Sequence, residues 1–294
     1  MGKLIRCITD DGAVMMTVTD TTDIVEKAKT IHDTTAVVTA ALGRLLTAAS
    51  MMGNMLKAED NSLTLRIKAD GPTGAVVAVS DYSGNVRGYC ENPHVTIPPK
   101  PNGKLDVSSA VGKNGYLYVL KDIGLKEPYN GVVPLVSGEI AEDITSYYAT
   151  SEQIPTVCAL GVLVNRDKSV ACSGGFIIQL LPSADESTIE KIEKNIEKLK
   201  PVTTMLAEGM KLDDIAKAAL KGFNVEILYV QDTAYKCSCS KQRVLNALNT
   251  LSADELNDMA NEMPEIEMSC HFCNKKYRFT PEQVRDIAAK KEKE

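Results

Sequence analysis

The chain of 294 residues contains no tryptophan, only four phenylalanines and only three histidines. With so few histidines, no Ser/His/Asp catalytic triad can be argued from the sequence. The sequence also lacks an excess of basic residues, since 33 Lys and Arg against 39 Asp and Glu give a formal charge of −6. This balance argues against a general nucleic-acid binder, because phosphate contacts need clustered Lys and Arg.

No apolar run approaches the roughly 18 residues of a membrane-spanning helix. Residues 1–6 lack the apolar region and cleavage site of a signal peptide. Cys7, Cys90, Cys158 and Cys172 stand alone in the sequence, and we expect them in the core of a protein kept in a reducing compartment. Together these features predict a cytoplasmic protein with no membrane partner.

The fold is predicted to be α+β, with about two domains for this length. Residues 4–18 and 62–90 alternate apolar and polar side chains between turn signals, which predicts antiparallel strands. Residues 34–56 are rich in Ala, Leu and Met on more than one face and predict a central helix. Further strands are predicted at 115–121, 132–136, 161–165 and 175–181, and helices at 23–31 and 139–152. These elements predict an N-terminal antiparallel-sheet domain with helices over residues 1–182.

Residues 183–231 predict a helical linker. Ser183 as N-cap and Glu186 at N3 form the capping box of a helix over residues 186–200. Its apolar positions are a narrow stripe on an otherwise charged helix, so the helix needs a partner surface: Ile189, Ile192, Ile196 and Leu199. We interpret the segment as laid over the sheet domain, and the stripe as the candidate switch and client-binding residues. An ordinary helical subdomain stays open as the alternative.

Two cysteine pairs define the last quarter of the chain. Cys237-Ser238-Cys239 is a Cys-x-Cys pair, and Cys270-His271-Phe272-Cys273 is a Cys-x-x-Cys pair. Four thiolates from two such pairs can close around one Zn²⁺ tetrahedrally, with Zn–S bonds of about 2.3 Å. Such a site has no open coordination position, so it is not hydrolytic. Residues 232–294 hold few large apolar side chains and are predicted to form a small zinc-binding domain whose folding depends on one Zn²⁺ per chain.

Several motifs along the whole chain are specific in combination. They are Asn85-Val86-Arg87-Gly88-Tyr89, Tyr129-Asn130-Gly131, residues 137–143 (Ser-Gly-Glu-Ile-Ala-Glu-Asp), Tyr147 with residues 151–156, and Gly174-Gly175-Phe176 with Gln179. Together with the cysteine pairs, they make the chain resemble the redox-regulated heat-shock holdases of bacteria, the 33 kDa chaperonin family (heat shock protein 33).

The resemblance implies an ATP-independent molecular chaperone of the cytoplasm, and no enzyme. In this family the reduced, zinc-bound form is inactive. Oxidation forms two disulfides, releases zinc, unfolds the linker and exposes a surface that prevents aggregation of unfolded client proteins. The resemblance also implies a homodimer favoured on oxidation, and hand-off of clients to ATP-dependent foldases.

The four cysteines of the two pairs match the zinc ligands of the family one for one: Cys237, Cys239, Cys270 and Cys273. In the oxidised form we expect local pairing, Cys237 with Cys239 and Cys270 with Cys273.

Three other functions remain as alternatives. A zinc-ribbon module for nucleic acid is disfavoured, because residues 235–294 carry ten Lys and Arg and ten Asp and Glu. A thiol–disulfide oxidoreductase is disfavoured because the Cys-x-x-Cys pair lacks the strand-then-helix context of a thioredoxin-like site. The third alternative is a purely structural zinc beside an unrelated N-terminal function.

Overall fold

The computed structural model describes residues 1–291, and the last three residues of the predicted terminal charge run at 290–294 lie outside the described part. The strands are β1 Gly2–Thr9, β2 Val14–Asp20, β3 Ser62–Ala69, β4 Val76–Asp81, β5 Val86–Cys90, β6 Gly115–Asp122, β7 Tyr129–Pro134, β8 Thr156–Val164, β9 Val170–Leu180, β10 Val225–Thr233, β11 Ile266–Ser269 and β12 Lys276–Phe279. The helices are α1 Thr22–His32, α2 Ala36–Gly53, α3 Val107–Val111, α4 Ala141–Tyr147, α5 Glu186–Lys198, α6 Val202–Ala207, α7 Leu212–Ala219, α8 Lys241–Leu248, α9 Ala253–Glu262 and α10 Pro281–Lys291.

The strands form two five-stranded sheets and one hairpin. The first sheet has the order β10-β1-β2-β9-β8, the second has the order β5-β4-β3-β6-β7, and β11 pairs with β12. Every strand pair within these sheets is antiparallel. The α+β fold with antiparallel sheets is therefore confirmed.

Helix α2 lies in the core between the two sheets. Sixteen of its residues are buried, and it shares one apolar cluster with Leu4 and Ile177 of the first sheet and with Leu63 and Leu65 of the second. By length and composition α2 could also cross a membrane, although no continuous apolar run predicts this, and 89% of its apolar window is buried inside the protein. Burial between two apolar sheet faces explains why α2 is apolar all round.

The first sheet is covered on both faces. Residues of β1 and β2 alternate between the α2 cluster and a second cluster, so that Leu4 faces the first and Ile5 the second. The second cluster joins this outer sheet face to helices α5, α6 and α7, which contribute Ile192, Met205 and Ile215. The helices of the predicted linker thus lie over the sheet, whereas its last residues form strand β10 of that same sheet.

Several elements differ from the sequence prediction; strand β9, for example, begins at Val170 rather than at 175. The helix predicted at 139–152 is α4 followed by one π-helical turn, Tyr148–Glu152. Strand β8 begins at Thr156 rather than at 161, because pairing with β9 extends it through residues that show no alternation. Ser183 is not the N-cap of α5: Asp185 caps it by accepting from the Thr188 N–H at 2.8 Å, while the Ser183 hydroxyl donates to the Gly12 carbonyl.

A turn between β7 and α4 explains the motif at residues 137–143. The buried Asp143 carboxylate accepts hydrogen bonds from the N–H groups of Val136, Ser137 and Ile140 at 2.7–3.1 Å. Glu139 of the same turn pairs with Arg44 of α2 at 2.6 Å and with Lys100 at 2.5 Å. The motif therefore fixes a polar turn against the central helix.

The chain divides into two compact units, Met1–Lys236 and Cys237–Glu294. The segment 183–231 lies within the first unit, where β10 pairs with β1 along its whole length. The division into a domain at 1–182, a separable linker at 183–231 and a zinc domain at 232–294 stays a prediction.

Candidate metal centre

The Cys-x-x-Cys pair is the turn of the hairpin formed by β11 and β12. The Cys270 N–H donates to the Lys275 carbonyl at 3.0 Å, and the Asn274 N–H donates back to the Cys270 carbonyl at 2.8 Å. Asn274 has a φ of 55°, which lets the chain reverse directly after Cys273. The tight turn directs both thiols to the same side of the hairpin.

The Cys-x-Cys pair lies on the extended segment before α8. The Ser240 hydroxyl caps this helix by accepting from the Arg243 N–H at 3.2 Å, so the N-cap residue of the helix directly follows Cys239. Arg243 also donates to the hydroxyl of Ser238, the residue between the two cysteines. The helix start therefore fixes the conformation of the pair.

The four thiols meet in one cluster. The Sγ atoms of Cys237, Cys239, Cys270 and Cys273 all lie within 4.8 Å of one another. The Sγ–Sγ distance is 3.7 Å between Cys237 and Cys270 and 3.4 Å between Cys239 and Cys273. A tetrahedral site with Zn–S bonds of about 2.3 Å needs sulfur–sulfur edges of about 3.8 Å. The donor set and its spacing therefore fit one zinc ion.

The sulfurs differ in their hydrogen bonds. The Tyr277 hydroxyl, on β12, donates to Cys239 Sγ at 3.1 Å. Burial raises the pKa of Cys239, but hydrogen bonds from Tyr277 and the neighbouring thiols outweigh it and lower that pKa to about 7. Burial raises the pKa of the Cys237 thiol to about 12, and burial also raises the pKa of Cys273. Of these three thiols, Cys239 is the one whose pKa is lowered.

The unit that carries the cluster has a small apolar core. Its fully buried side chains include Leu248, Leu256, Ile266, Phe279 and Val284. Domains of about 60 residues rarely gain more than 3–5 kcal/mol from such a core. A structural zinc contributes on the order of 10–16 kcal/mol in comparable small domains, so the metal would dominate the stability of this unit.

The predicted stripe of α5 is docked unevenly. Ile192 is 3% exposed in the second cluster, and Ile196 and Leu199 pack against it half-buried. Ile189 is 38% exposed. Polar contacts hold the same helix: Asn195 donates to the Lys221 carbonyl at 2.9 Å, and Lys191 lies 4.1 Å from the ring centroid of Phe223.

Sequence reasoning did not identify Tyr235 as an anchor. Its side chain is 4% exposed, and its hydroxyl donates to the Gly88 carbonyl at 2.8 Å and accepts from the Gly88 N–H at 3.3 Å. A Cβ at Gly88 would lie 2.5 Å from the Val77 carbonyl oxygen, which explains the glycine in that motif. The Lys236 N–H donates to the Val86 carbonyl at 2.8 Å. Tyr235 and Lys236 therefore bind the chain to β5 just before the first cysteine of the cluster. In the sequence, the only sign of this role is that Tyr235 lies two residues before Cys237.

The other four cysteines are core residues, as predicted. Cys7, Cys90 and Cys172 are buried, and Cys158 packs half-buried against the core around α2. Burial raises the pKa of Cys7 to about 11 and that of Cys90 to about 12, and it also raises the pKa values of Cys158 and Cys172. These thiols are poor nucleophiles in the folded protein.

Comparison with known proteins identifies the family. The family profile described as Hsp33 protein matches residues 2–280. The 33 kDa chaperonin of Clostridioides difficile is 48% identical over 284 residues, covering 97% of each chain. That of Lachnoclostridium phytofermentans is 50% identical over 266 residues, covering 90% of this chain and 91% of the relative.

A solved structure shares the whole fold. The crystal structure of the 33 kDa chaperonin (heat shock protein 33 homologue) of Thermotoga maritima matches with a TM-score of 0.90 at 36% identity, covering 99% of both chains. The chain therefore belongs to the Hsp33 family, a family of chaperones.

Proposed function

We propose that this protein is a redox-regulated, ATP-independent holdase that is inactive when reduced and zinc-bound. The observation that carries the proposal is the cluster of four thiols, spaced as the corners of a zinc tetrahedron. The cluster lies in a unit with a small core, so its oxidation state controls whether that unit is folded.

In the reduced state, Cys237, Cys239, Cys270 and Cys273 hold one Zn²⁺ as thiolates. The ion supplies cross-linking of the small unit and keeps all four sulfurs deprotonated at neutral pH. Thiolates are the form of cysteine that oxidants attack. The cluster is therefore both the cross-link that stabilises the small unit and the group in that unit that oxidants attack most readily.

Oxidation by a peroxide proceeds in two steps for each pair. A thiolate sulfur attacks one peroxide oxygen, so an S–O bond forms, the O–O bond breaks and hydroxide leaves. The second thiolate attacks this sulfur, forming the S–S bond and expelling a second hydroxide. Two electrons pass from the pair to the oxidant. We expect Cys237 to pair with Cys239 and Cys270 with Cys273, which leaves no thiolate for the metal.

The switch then reaches the linker through the chain. Unfolding of the small unit frees the residues directly after Lys236, whose N–H donates to the Val86 carbonyl. The freed chain then strains the contacts of Tyr235 and of strand β10. Helices α5, α6 and α7 of segment 183–231 cover an apolar face of the first sheet. Release of this segment exposes both its own stripe and that sheet face to unfolded clients.

The remaining properties follow from the family. We propose that the protein lies in the cytoplasm, acts as no enzyme, forms a homodimer favoured on oxidation and hands clients to ATP-dependent foldases. Unfolded or misfolded proteins are its partners, with no nucleic acid and no membrane. The hairpin position of the Cys-x-x-Cys pair between β11 and β12 argues against the oxidoreductase alternative, which needs that pair at a helix N-terminus.

The test is suppression of aggregation of a chemically unfolded client by reduced and by peroxide-treated protein, with zinc release followed in the same samples. We expect suppression only after treatment, together with loss of one zinc per chain. Cys270→Ser combined with Cys273→Ser should abolish the dependence on peroxide, whereas Cys90→Ala, a control buried in the core of the first unit, should preserve it. Equal suppression by reduced and oxidised wild-type protein would reject redox control.

A further inference from the structure

One hydroxyl group reaches the thiol cluster from outside its four cysteines. Among the described residues 237–291, Tyr277 is the only tyrosine, and its O–H donates to Cys239 Sγ at 3.1 Å. The side chain is 7% exposed and is fixed on β12, where Tyr277 pairs with Met268. Lys275 lies 5.3 Å from the ring centroid. The ring therefore has little freedom to turn its hydroxyl elsewhere.

We propose that Tyr277 is a positioning residue that restrains the oxidation of Cys239. This inference rests on the proposed zinc-thiolate switch and adds a determinant of its oxidant sensitivity. A hydrogen bond donated to a thiolate withdraws charge from the sulfur, and the sulfur loses that charge when it attacks a peroxide. The bond is therefore stronger before the attack than after it, so it slows the step.

Whether loss of the Tyr277 hydroxyl speeds or slows oxidation of Cys239 depends on whether the sulfur is bound to zinc. A sulfur held by zinc is already deprotonated, so loss of the donor changes the nucleophilicity of the thiolate and not its amount. Nucleophilicity of thiolates rises with basicity, with a Brønsted slope of roughly 0.4–0.5. Applied to a charge-assisted hydrogen bond of ordinary strength, this slope predicts that oxidation at Cys239 becomes about three to ten times faster without the hydroxyl.

The chemistry at Cys239 is the peroxide step already given: an S–O bond forms, the O–O bond breaks and hydroxide leaves. Tyr277 neither gains nor loses electrons. Its proton stays on the phenol oxygen, which is the donor of the 3.1 Å hydrogen bond to Cys239 Sγ, since an ordinary tyrosine hydroxyl loses its proton only near pH 10. The hydroxyl thus acts only by charge stabilisation in the starting state.

The experiment compares wild type with Tyr277→Phe, both reduced and zinc-loaded, under limiting hydrogen peroxide. Zinc release is followed with a colorimetric chelator, and the first sulfenic acid is trapped with dimedone and located by peptide mapping. We expect the dimedone label at Cys239 to form about three to ten times faster in Tyr277→Phe, with its share of the total label raised. Unchanged rate and unchanged distribution would overturn the inference.

A packing control separates the hydroxyl from general loosening of the hairpin. Phe279→Leu alters a side chain that is 1% exposed on the same strand without removing a donor to sulfur. Thermal unfolding and zinc content are measured for both variants. Acceleration at Cys239 in Phe279→Leu equal to that in Tyr277→Phe would assign the effect to packing and also overturn the inference. If wild type itself holds no zinc or keeps it under peroxide, the proposed function fails; a responsive wild type with an unaltered Tyr277→Phe profile rejects only the role of Tyr277.

Discussion

Truncating the docked part of the linker stripe should activate the protein without oxidation. The change is Ile192→Ala with Ile196→Ala on α5. Ile192 is 3% exposed, and removing a buried isoleucine side chain beyond Cβ costs about 2–5 kcal/mol. Ile196 is half-buried against the same cluster, so its truncation costs about 1 kcal/mol. Together the two changes remove roughly 3–6 kcal/mol of docking energy.

That loss is large against what else holds the helix in place. The Asp185 cap contributes about 0.5–2 kcal/mol, and the Asn195 bond to the Lys221 carbonyl about 1 kcal/mol. Since about 1.4 kcal/mol is a tenfold change in an equilibrium, the double variant shifts the docked-to-released ratio by roughly 10²–10⁴. We therefore expect it to suppress client aggregation while still reduced and zinc-bound.

A matched control lies one turn away on the same helix. Ile189→Ala makes the same chemical change at a side chain that is 38% exposed. Its truncation removes less buried area than truncation of Ile192 and none from the second cluster, so the effect should stay below about 1 kcal/mol. The Ile189 variant should remain inactive until it is oxidised.

Release of the linker has two direct readouts. Hydrogen exchange should show residues 185–200 losing protection in the double variant and not in the control. Cys172 provides a second reporter, because it is 5% exposed and its thiol donates to the Thr203 carbonyl of α6 at 3.3 Å. A thiol reagent should modify Cys172 faster once α5 and α6 leave the sheet. If the linker loses protection and the reduced protein still fails to hold clients, linker release is not the gate.

Three further predictions concern the cluster and the turn beside α2. Purified reduced protein should hold one zinc per chain, and the variant that combines Cys270→Ser with Cys273→Ser should hold none, as measured by metal analysis. Unchanged zinc content in the variant would contradict the ligand assignment. Peptide mapping of oxidised protein should find Cys237–Cys239 and Cys270–Cys273, with the short Cys-x-Cys ring the more easily reduced because it departs from relaxed geometry; a dominant Cys239–Cys270 link would contradict local pairing. Burial raises the pKa of Glu139, but hydrogen bonds and charge from Lys100 and Arg44 outweigh burial and lower that pKa overall, so its ion pairs stabilise the fold at neutral pH. Glu139→Gln should therefore cost on the order of 1–3 kcal/mol near pH 7, a difference that shrinks as the pH falls below about 4.5 in denaturant titrations and would be absent at every pH if the pairs contribute nothing.

The sequence predicts those elements whose pattern is local. The alternation of Leu63, Leu65 and Ile67 with polar neighbours identifies β3, and the small apolar residues of α2 identify a helix buried on all sides. The cysteine pairs identify the cluster because a metal site constrains spacing more tightly than packing does. The α+β class and the candidate site were accessible for these reasons.

Contacts between distant segments carry no such signal. Strand β10 joins the first sheet by pairing Val225 with Thr9 and Thr233 with Gly2, and nothing local in either segment specifies that partner. The contact of Tyr277 with Cys239 depends on the hairpin register. Asp185 rather than Ser183 is the N-cap. Both residues offer a side-chain oxygen that can cap a helix, so only the position of the first helical turn decides which of them does so.

The arrangement of the two core clusters suits a switch. An antiparallel sheet commonly buries one face and leaves the other to water, yet the first sheet is apolar on both. Its inner face packs on α2 in one cluster, with Leu4 and Ile177. Its outer face, with Ile5, Val14 and Phe176, packs only in the second cluster, under the linker helices. The sheet therefore keeps its inner core when helices α5, α6 and α7 leave, so an apolar face can be uncovered without unfolding the domain that presents it.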